Sequence, residues 1–373
     1  MGVHQVNLKK QYHPMVKIFH NQQLMHFNIN SSMLLLELFE RGIDIEILDK
    51  THSLFQASFG AHTELLHDVF FLKTPEVCKR FFDHKLVAKK ILSKNGIRTP
   101  EGQSFETHDA MHAQIYAELI GYPVVIKPLL GVQGNGVFCQ IETAEEFKAA
   151  WQVFQQHWGK EYTEVLVEKS FTGDEFRIFI TETGDYAALK REPASVMGDG
   201  KKTIEVLARQ ESYRRLNPRK TCEGEIVIDE VAQLFLAKQG LTQTSIPQKD
   251  KKVFLRANSN LSTGGRAIDY TDQIHPSVIA ICQKVLQSTQ GLPYAGIDFM
   301  SRDITADQGK NDYVILEVNV TPGIGIHVNP GSGQSRPVPA MIADIIFPET
   351  KKITLKNINP SRGKTKTLEF LHS

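Results

Sequence analysis

The chain has 373 residues, 41% of them hydrophobic, and a formal net charge of +1, so it is long enough for two or three lobes that each bury a core. Balanced charge without a long basic stripe argues against nucleic acid as a partner. Apolar runs no longer than a strand or helix, and an N-terminus (MGVHQVNLKK) without the apolar core of a signal peptide, argue against a membrane and point to a soluble cytoplasmic protein. Cys78, Cys139, Cys222 and Cys282 lie far apart with no CxxC, which fits reduced thiols rather than disulfides or a zinc site. His108 and His112 share helical i, i+4 spacing but lack the glutamate that a metal motif of that kind carries.

Residues 1–22 carry no clear period and read as a strand plus an arm. MHFNIN, SSMLLLELFERG and IDIEIL then read as strand, helix, strand, with Asn30 or Ser31 as cap, Leu34, Leu35, Leu36, Leu38 and Phe39 on the buried side, and Gly42 as the stop. That order implies a βαβ unit with a parallel strand pair. LLHDVFFL adds a strand before a helix over 74–95, on which Lys85, Lys89 and Lys90 have the spacing of a solvated face.

An extended stretch over 97–105 and a helix to Gly121 lead to VVIKP, a β-branched strand carrying Lys127. The following GVQGNGV places Gly131, Gly134 and Gly136 in a turn whose backbone NH groups can meet phosphate oxygens. It is neither a P-loop nor a dinucleotide fingerprint, because no GKS or GKT follows and a strand, not a helix, comes next. A helix over 143–158, capped by Thr143, precedes the strands TEVLVEKSF and EFRIFIT, which place Glu168 and Glu175 on either side of a TGD turn, with Arg177 on the face of Glu175. A further strand bears Lys190 and Arg191, a loop and a helix follow, and RRLNPRK is a basic cluster read as solvated surface.

Beyond a helix over 229–240, KVFLRANSNLSTGGRAIDYT reads as a strand bearing Arg256, Asn258 and Asn260 that ends in a mobile flap at Gly264 and Gly265, with few apolar anchors of its own. A helix over 276–290 leads to the apolar strand with Asp298. YVILEVNVTPGIGIH then forms a strand ending in a turn, with Glu317 and Asn319 on one face. These are hard oxygen ligands of the kind Mg²⁺ takes, and Asp298 joins them if the two strands pair. A loop, a short helix at PAMIADIIF and a loosely ordered polar tail complete the chain.

The strings SSMLLLELFERGIDIEILD, HKLVAKKIL, VVIKPLLGVQGNGV, LVEKSFTGDEFRIF, REPASVMGDGKKTI, SIPQKDKKVFLRANSNLSTGGRAID and LEVNVTPGIGIHVNP occur in the order found in ATP-grasp ligases. Over residues 30–349 the chain resembles the C-terminal ligase module of bifunctional glutathione synthetases and the ATP-grasp region of cyanophycin synthetases. The resemblance implies an α+β ATP-grasp fold. Its parts are an α/β pre-ATP-grasp domain over 1–75, an N-terminal lobe over 76–165, a C-terminal lobe over 166–349 and a tail over 350–373, with strands around Glu168 as hinge. It also implies ATP and Mg²⁺ as cofactors, the Mg²⁺ as a pair of ions replaceable by Mn²⁺, a homodimer, and small amino acid or peptide substrates.

By the same resemblance, Lys85 and Lys127 contact ATP phosphates. Gly131, Gly134, Gly136, Gly264 and Gly265 line them, and Glu168, Glu175 and Leu316 meet adenine and ribose. Asp298, Glu317 and Asn319 hold the metal. Arg256 stabilises an acyl phosphate, and Arg177, Arg191 and His327 lie near the substrate. The glycine loop departs from the family in its polar string, LLGVQGNG, and this sequence contains neither the glutamate–cysteine ligase module nor the Mur-ligase-like half of those relatives. The expectation is one ATP site and one amide bond per cycle, with glycine and γ-glutamylcysteine as the first substrates to try. A phosphoryl transferase, or a nucleotide-binding regulator without turnover, is the alternative on the same fold.

Overall fold

Helix α1 (Ile29–Glu40) begins where the Asn28 side chain accepts hydrogen bonds from the backbone NH groups of Asn30 and Ser31, at 2.9 and 3.0 Å. The structure, a computed structural model, describes residues 27–131, 134–216, 221–289 and 291–351. The cap is therefore Asn28, not Asn30 or Ser31, and the strand expected over 25–30 gives way to a helix start in its described part. An asparagine that satisfies orphan NH groups outweighs the β-preference of Phe27 and Ile29. Met33, Leu34, Leu35 and Leu38 form the buried stripe, and Gly42, with φ of +77°, ends the helix.

The chain divides into two compact units, one comprising residues up to Lys73 with Gly323–Val328 and the segment from Pro337, the other Thr74–Pro322 with Asn329–Arg336. The segment expected as one C-terminal lobe over 166–349 is thus interrupted twice. In the first unit, β1 (Asp44–Asp49), β2 (Leu54–Phe59), β3 (His62–His67) and β4 (Phe70–Phe71) form an antiparallel meander. The parallel pair expected between 25–30 and 43–48 does not form among the described residues, because the chain is already helical from Ile29 and β1 pairs antiparallel with β2 instead. Only Gly60 and Ala61 separate the paired residues Phe59 and His62, and a two-residue connection makes a hairpin, whereas a parallel pair needs a long crossover. Arg41 ties α1 to α10 (Val338–Ile346) through Asp344 at 2.6 Å and the Ala340 carbonyl at 3.0 Å. Also in the first unit, the Asn30 side chain accepts hydrogen bonds from the NH groups of Ile324 and Gly325 at the start of the short helix α9 (Gly325–Val328).

In the second unit the helix expected over 74–95 is two, α2 (Glu76–Asp83) and α3 (Lys85–Lys94). His84 breaks it with extended backbone and turns its ring to accept from Val87 NH, capping α3. The first sheet has the order β5 (Gly102–Glu106), β8 (Glu164–Lys169), β6 (Val124–Pro128), β7 (Phe138–Ile141), all antiparallel. One face buries Val124, Ile126, Val165 and Val167 against Ala113 and Ala117 of α4 (Ala110–Ile120) and Phe147, Trp151 and Phe154 of α5 (Ala144–Trp158). The edge strand β7 is short and irregular, with Gln140 at φ +57°, and the Gln140 carbonyl accepts from Lys238 of α7 (Glu230–Lys238) at 2.7 Å.

The second sheet has the order β13 (Arg266–Asp269), β10 (Tyr186–Glu192), β9 (Asp174–Thr181), β14 (Tyr294–Ser301), β15 (Tyr313–Asn319). β8 and β9, read as neighbours across a TGD turn, belong to different sheets, so the chain passes from one sheet to the other at residues 170–173. The long strand expected from Lys252 is also shorter. β12 covers only Lys252–Phe254, pairing with β11 (Ser195–Met197), and irregular chain follows to β13. α6 (Ile204–Leu216) and α8 (Pro276–Gln287) flank these strands. The expected arm over 1–22, the tail from 352, and residues 217–220 of the basic cluster lie outside the described residues.

Candidate functional site

On the five-stranded sheet, Arg177 of β9, Asp298 of β14 and Glu317 of β15 stand opposite one another in direct register. Opposed residues in antiparallel strands share a face, and alternation adds Glu175 and Asn319 to it; Arg191 joins as the partner of Glu175, and Gly296 lies opposite Asn319. The expected pairing of the Asp298 and Glu317 strands is present, and a bulge between Asp298 and Phe299 leaves Leu316 outside the register. Such bulges re-aim neighbouring side chains. Arg177 grips Asp298 through Nε to Oδ1 and through a second nitrogen to Oδ2 at 3.2 Å, and Arg191 lies 3.4 Å from Oδ2. Arg191 also donates to Glu175 at 3.0 Å, and the other Glu175 oxygen accepts from the Ser259 hydroxyl.

Glu317 differs from its neighbours: it makes no hydrogen bond or close ion pair with any described residue. Asn319 likewise leaves a buried Nδ2 without a partner. A half-buried carboxylate beside an amide with an orphaned polar atom, both next to Asp298, is a donor set suited to a hard divalent cation. The two ends of an asparagine amide are interchangeable by a flip, so its oxygen can occupy the buried position.

The four-stranded sheet contributes the cationic side. Lys127 and Glu168 lie on one face of β6 and β8, and Lys127 Nζ sits 2.7 Å from Glu168 Oε2. Lys89 of α3 takes Oε1 at 2.7 Å and donates to the Pro100 carbonyl at 2.6 Å. Lys85, the first residue of α3, donates to the Gly131 carbonyl at 2.7 Å. The solvated lysine face expected on this helix is therefore wrong for Lys85 and Lys89, which are buried, and right only for Lys90. Helical spacing could not reveal this, since the carboxylate that draws Lys89 inward is on a distant strand.

These groups form one electrostatic field. Burial opposes the charges on Glu168 and Asp298, yet Lys127 and Lys89 hold the Glu168 carboxyl below its ordinary range, and Arg177 and Arg191 do the same for Asp298. Burial pushes Lys85 and Lys89 down, with Glu317 partly offsetting this for Lys85 and Glu168 for Lys89. Burial also works against Lys127, but Glu168, with added help from Glu317, leaves its pKa raised. Glu317 thus acts on Lys85, Lys127, Arg177 and Arg191 without pairing closely with any of them. Five cations, Lys85, Lys89, Lys127, Arg177 and Arg191, face four carboxylates, Glu168, Glu175, Asp298 and Glu317, so the site has surplus positive charge for an anion.

The segment expected as a flap with few anchors is in fact held by the protein. Arg215 of α6, buried rather than solvated, donates to the Gly264 carbonyl at 2.9 Å and pairs with Glu211; the buried Glu223 accepts from Ala267 NH at 3.0 Å. Gly264 has φ of +99°, and a Cβ there would lie 2.6 Å from Ile226 Cα. Gly134, at φ +73°, sits against Asn260, with 2.4 Å between a built Cβ and Nδ2, so the glycine loop and this segment touch. Gly136 has φ of +63° and Gly265 packs on the Ser259 carbonyl.

Arg256 is buried elsewhere: it pairs with Asp229, the cap of α7, at 2.8 Å and donates to the Val227 carbonyl at 3.0 Å. The structure does not bring it into contact with the Asp298 row. His327 is buried in α9 of the first unit. Lys89 and Ser259, by contrast, reach site carboxylates that sequence reasoning did not connect to them.

A model of the phosphoribosylglycinamide synthetase ATP-grasp (A) domain matches residues 83–195. Over 323 residues the chain is 32% identical to the cyanophycin synthetase of Trichormus variabilis, covering 85% of this chain and 35% of that protein. It is 31% identical over 326 residues to the glutathione biosynthesis bifunctional protein GshAB of Clostridium perfringens, covering 86% of this chain and 41% of that protein. The bifunctional glutathione synthetase structure from Pasteurella multocida aligns with a TM-score of 0.62 and 30% identity, over 90% of this chain and 46% of that one. The chain spans less than half of each of these relatives. ATP-grasp ligases as a class use ATP and divalent metal ions. Among the described residues no helix is long and apolar enough to cross a membrane. Residues 83–195 thus match an ATP-grasp domain, the chain has the mixed helix and sheet fold of that domain's structural neighbours, and over most of its length it is a relative of cyanophycin and bifunctional glutathione synthetases.

Proposed function

We propose that the protein is an ATP-dependent carboxylate–amine ligase that joins a small amino acid or peptide to an amine through an acyl phosphate, releasing ADP and phosphate. The observation that carries this reading is the row Arg177, Asp298, Glu317, with Asn319 beside it, placed within electrostatic reach of Lys85 and Lys127. A carboxylate oxygen bonds to the γ-phosphorus as ADP leaves; the amine nitrogen then bonds to the acyl carbon as phosphate leaves, and the nitrogen loses a proton. Both steps redistribute negative charge on phosphoryl and carboxyl oxygens, which preorganised cations stabilise.

Lys85 and Lys127 each spend one ammonium hydrogen on a protein acceptor and retain donors for phosphate oxygens. Glu317, Asn319 and Asp298 would hold Mg²⁺, which when bound neutralises phosphate charge. Arg177 and Arg191 keep Asp298 ionised and oriented. Glu168 and Glu175, with Leu316, are the proposed surroundings of adenine and ribose, and the segment around Gly264 and Gly265 would exclude water from the acyl phosphate.

The test is ADP release with ATP, Mg²⁺ and a mixed pool of amino acids and dipeptides, with product masses read in parallel. A ligase needs both an acid and an amine and yields a condensed product. ADP release with one substrate and a phosphorylated product would make it a kinase, and no turnover would make it a regulator.

A further inference from the structure

Lys89 has no role in the chemistry above, yet its side chain is as deeply buried as those of Lys85 and Lys127. Burying an ammonium is costly unless it is paired, and Lys89 is paired twice, with Glu168 Oε1 at 2.7 Å and the Pro100 carbonyl at 2.6 Å. The main-chain carbonyl fixes it in place. Glu168 is fixed too: it is 2% exposed, and its Cγ would lie 2.8 Å from a Cβ on Gly102, so the strand opposite admits its stem only because that residue is glycine. The two carboxylate oxygens are therefore divided, one to Lys89 and one to Lys127.

This division matters for charge. A carboxylate bound to Lys127 alone would cancel that lysine's charge, whereas one shared between two ammonium groups leaves a positive surplus and frees two of the three hydrogens on Lys127. We propose that Lys89 is a positioning residue that holds Glu168 and shares its charge, so that Lys127 remains available to a phosphate-bearing ligand. The inference rests on the nucleotide-binding reading above and adds to it a residue that touches no ligand. The low Lys89 pKa agrees with this arrangement, since burial is its largest cause and Glu168 supplies the compensation.

The test uses the full chain with Lys89→Met, Lys89→Arg, Glu168→Gln and the double variant Lys89→Met with Glu168→Gln. Calorimetric titration with ATP and Mg²⁺ should show Lys89→Met binding about tenfold more weakly than wild type and Lys89→Arg near wild type, while Lys89→Met added to Glu168→Gln should cost almost nothing beyond Glu168→Gln alone, because the unshared charge is gone. A residue that only braces the fold predicts that Lys89→Met weakens binding by the same factor in the Glu168→Gln protein as in wild type. As a readout that needs no nucleotide, the rate of Lys127 acetylation by acetic anhydride, followed by mass spectrometry, should fall severalfold in Lys89→Met. Unchanged Lys127 labelling together with unchanged ATP affinity in the folded variant overturns the proposal. If Lys89→Met does not fold, Lys89→Arg and the double variant decide: the double variant binding tenfold more weakly than Glu168→Gln alone overturns it. Wild-type protein that binds no ATP, with Lys127 labelling still lowered in Lys89→Met, removes the functional reading and leaves this role of Lys89 standing.

Discussion

Asp298 faces Arg177 across β14 and β9 and is bound by it through both carboxylate oxygens, while Glu317, the next carboxylate in the same row, is bound by nothing in the described chain. Two acids in adjacent strands thus have opposite circumstances. One shares its charge with an arginine and gives up one lone pair on each oxygen; the other keeps all of its lone pairs.

Glu317 should therefore be expendable for folding and essential for turnover. Glu317→Gln preserves shape and removes only an unpaired charge, so the unfolding free energy should shift by less than about 1 kcal/mol. ATP-dependent turnover should fall by about 100-fold or more, the scale set by losing one electrostatic stabiliser of a transition state. Near-normal turnover at ordinary Mg²⁺ would sink the metal assignment.

Arg177 should behave in the opposite way. Arg177→Met leaves Asp298 buried with only the more distant Arg191, and removing one partner of a buried pair costs about 3–5 kcal/mol. Chemical denaturation should show that loss directly. A loss below about 1 kcal/mol would mean that Arg191 alone satisfies Asp298.

Gly264→Val tests the segment at residues 257–267. The residue combines φ of +99° with a built Cβ 2.6 Å from Ile226 Cα, so valine brings both backbone strain and a clash against main chain. Amide exchange across this segment should accelerate, and turnover should fall far more than ATP affinity. Exchange equal to wild type would show that the segment absorbs the change without loosening.

Acid should loosen the same segment through Glu211. Hydrogen bonds from Arg214 lead the effects that bring its pKa from 4.5 to about 2, and Glu211 also holds Arg215, which holds the Gly264 carbonyl. Because the folded-state pKa is depressed, its stabilisation is full above about pH 4.5 and is lost as pH falls toward 2. Glu211→Gln should flatten that part of the stability profile and raise amide exchange at Gly264 at neutral pH. An acid limb identical to wild type would show that other carboxylates set it.

Much of the site could be read along the chain because its signals are local. The apolar run into Glu317 and Asn319, the strand with Asp298 and the VVIKP strand each declare themselves by alternation or β-branching, and their pairing followed. What could not be read was long-range or locally ambiguous. Lys89 looked solvated because its partner Glu168 is far away in sequence. The bulge at Leu316 depends on how two strands accommodate each other. The hairpin of β2 and β3 is hard to read because β3 carries only two apolar residues, Leu65 and Leu66, side by side rather than alternating, and Gly60–Ala61 is not a strong hairpin dipeptide. Asn28 offered a cap, but the aromatic and β-branched residues around it suggested a strand.

The edge of the four-stranded sheet carries a safeguard unrelated to catalysis. β7 would otherwise present a row of open main-chain groups to any other extended chain, and open edges of this kind template aggregation. Its short length, the left-handed kink at Gln140 and the ammonium of Lys238 on the Gln140 carbonyl all spoil that template. The lysine is itself steadied by Glu142 at 3.3 Å and Glu146 at 3.1 Å. With that carbonyl already engaged, a second strand finds no open acceptor there, so the resistance of this edge to association rests on a side chain outside the proposed site.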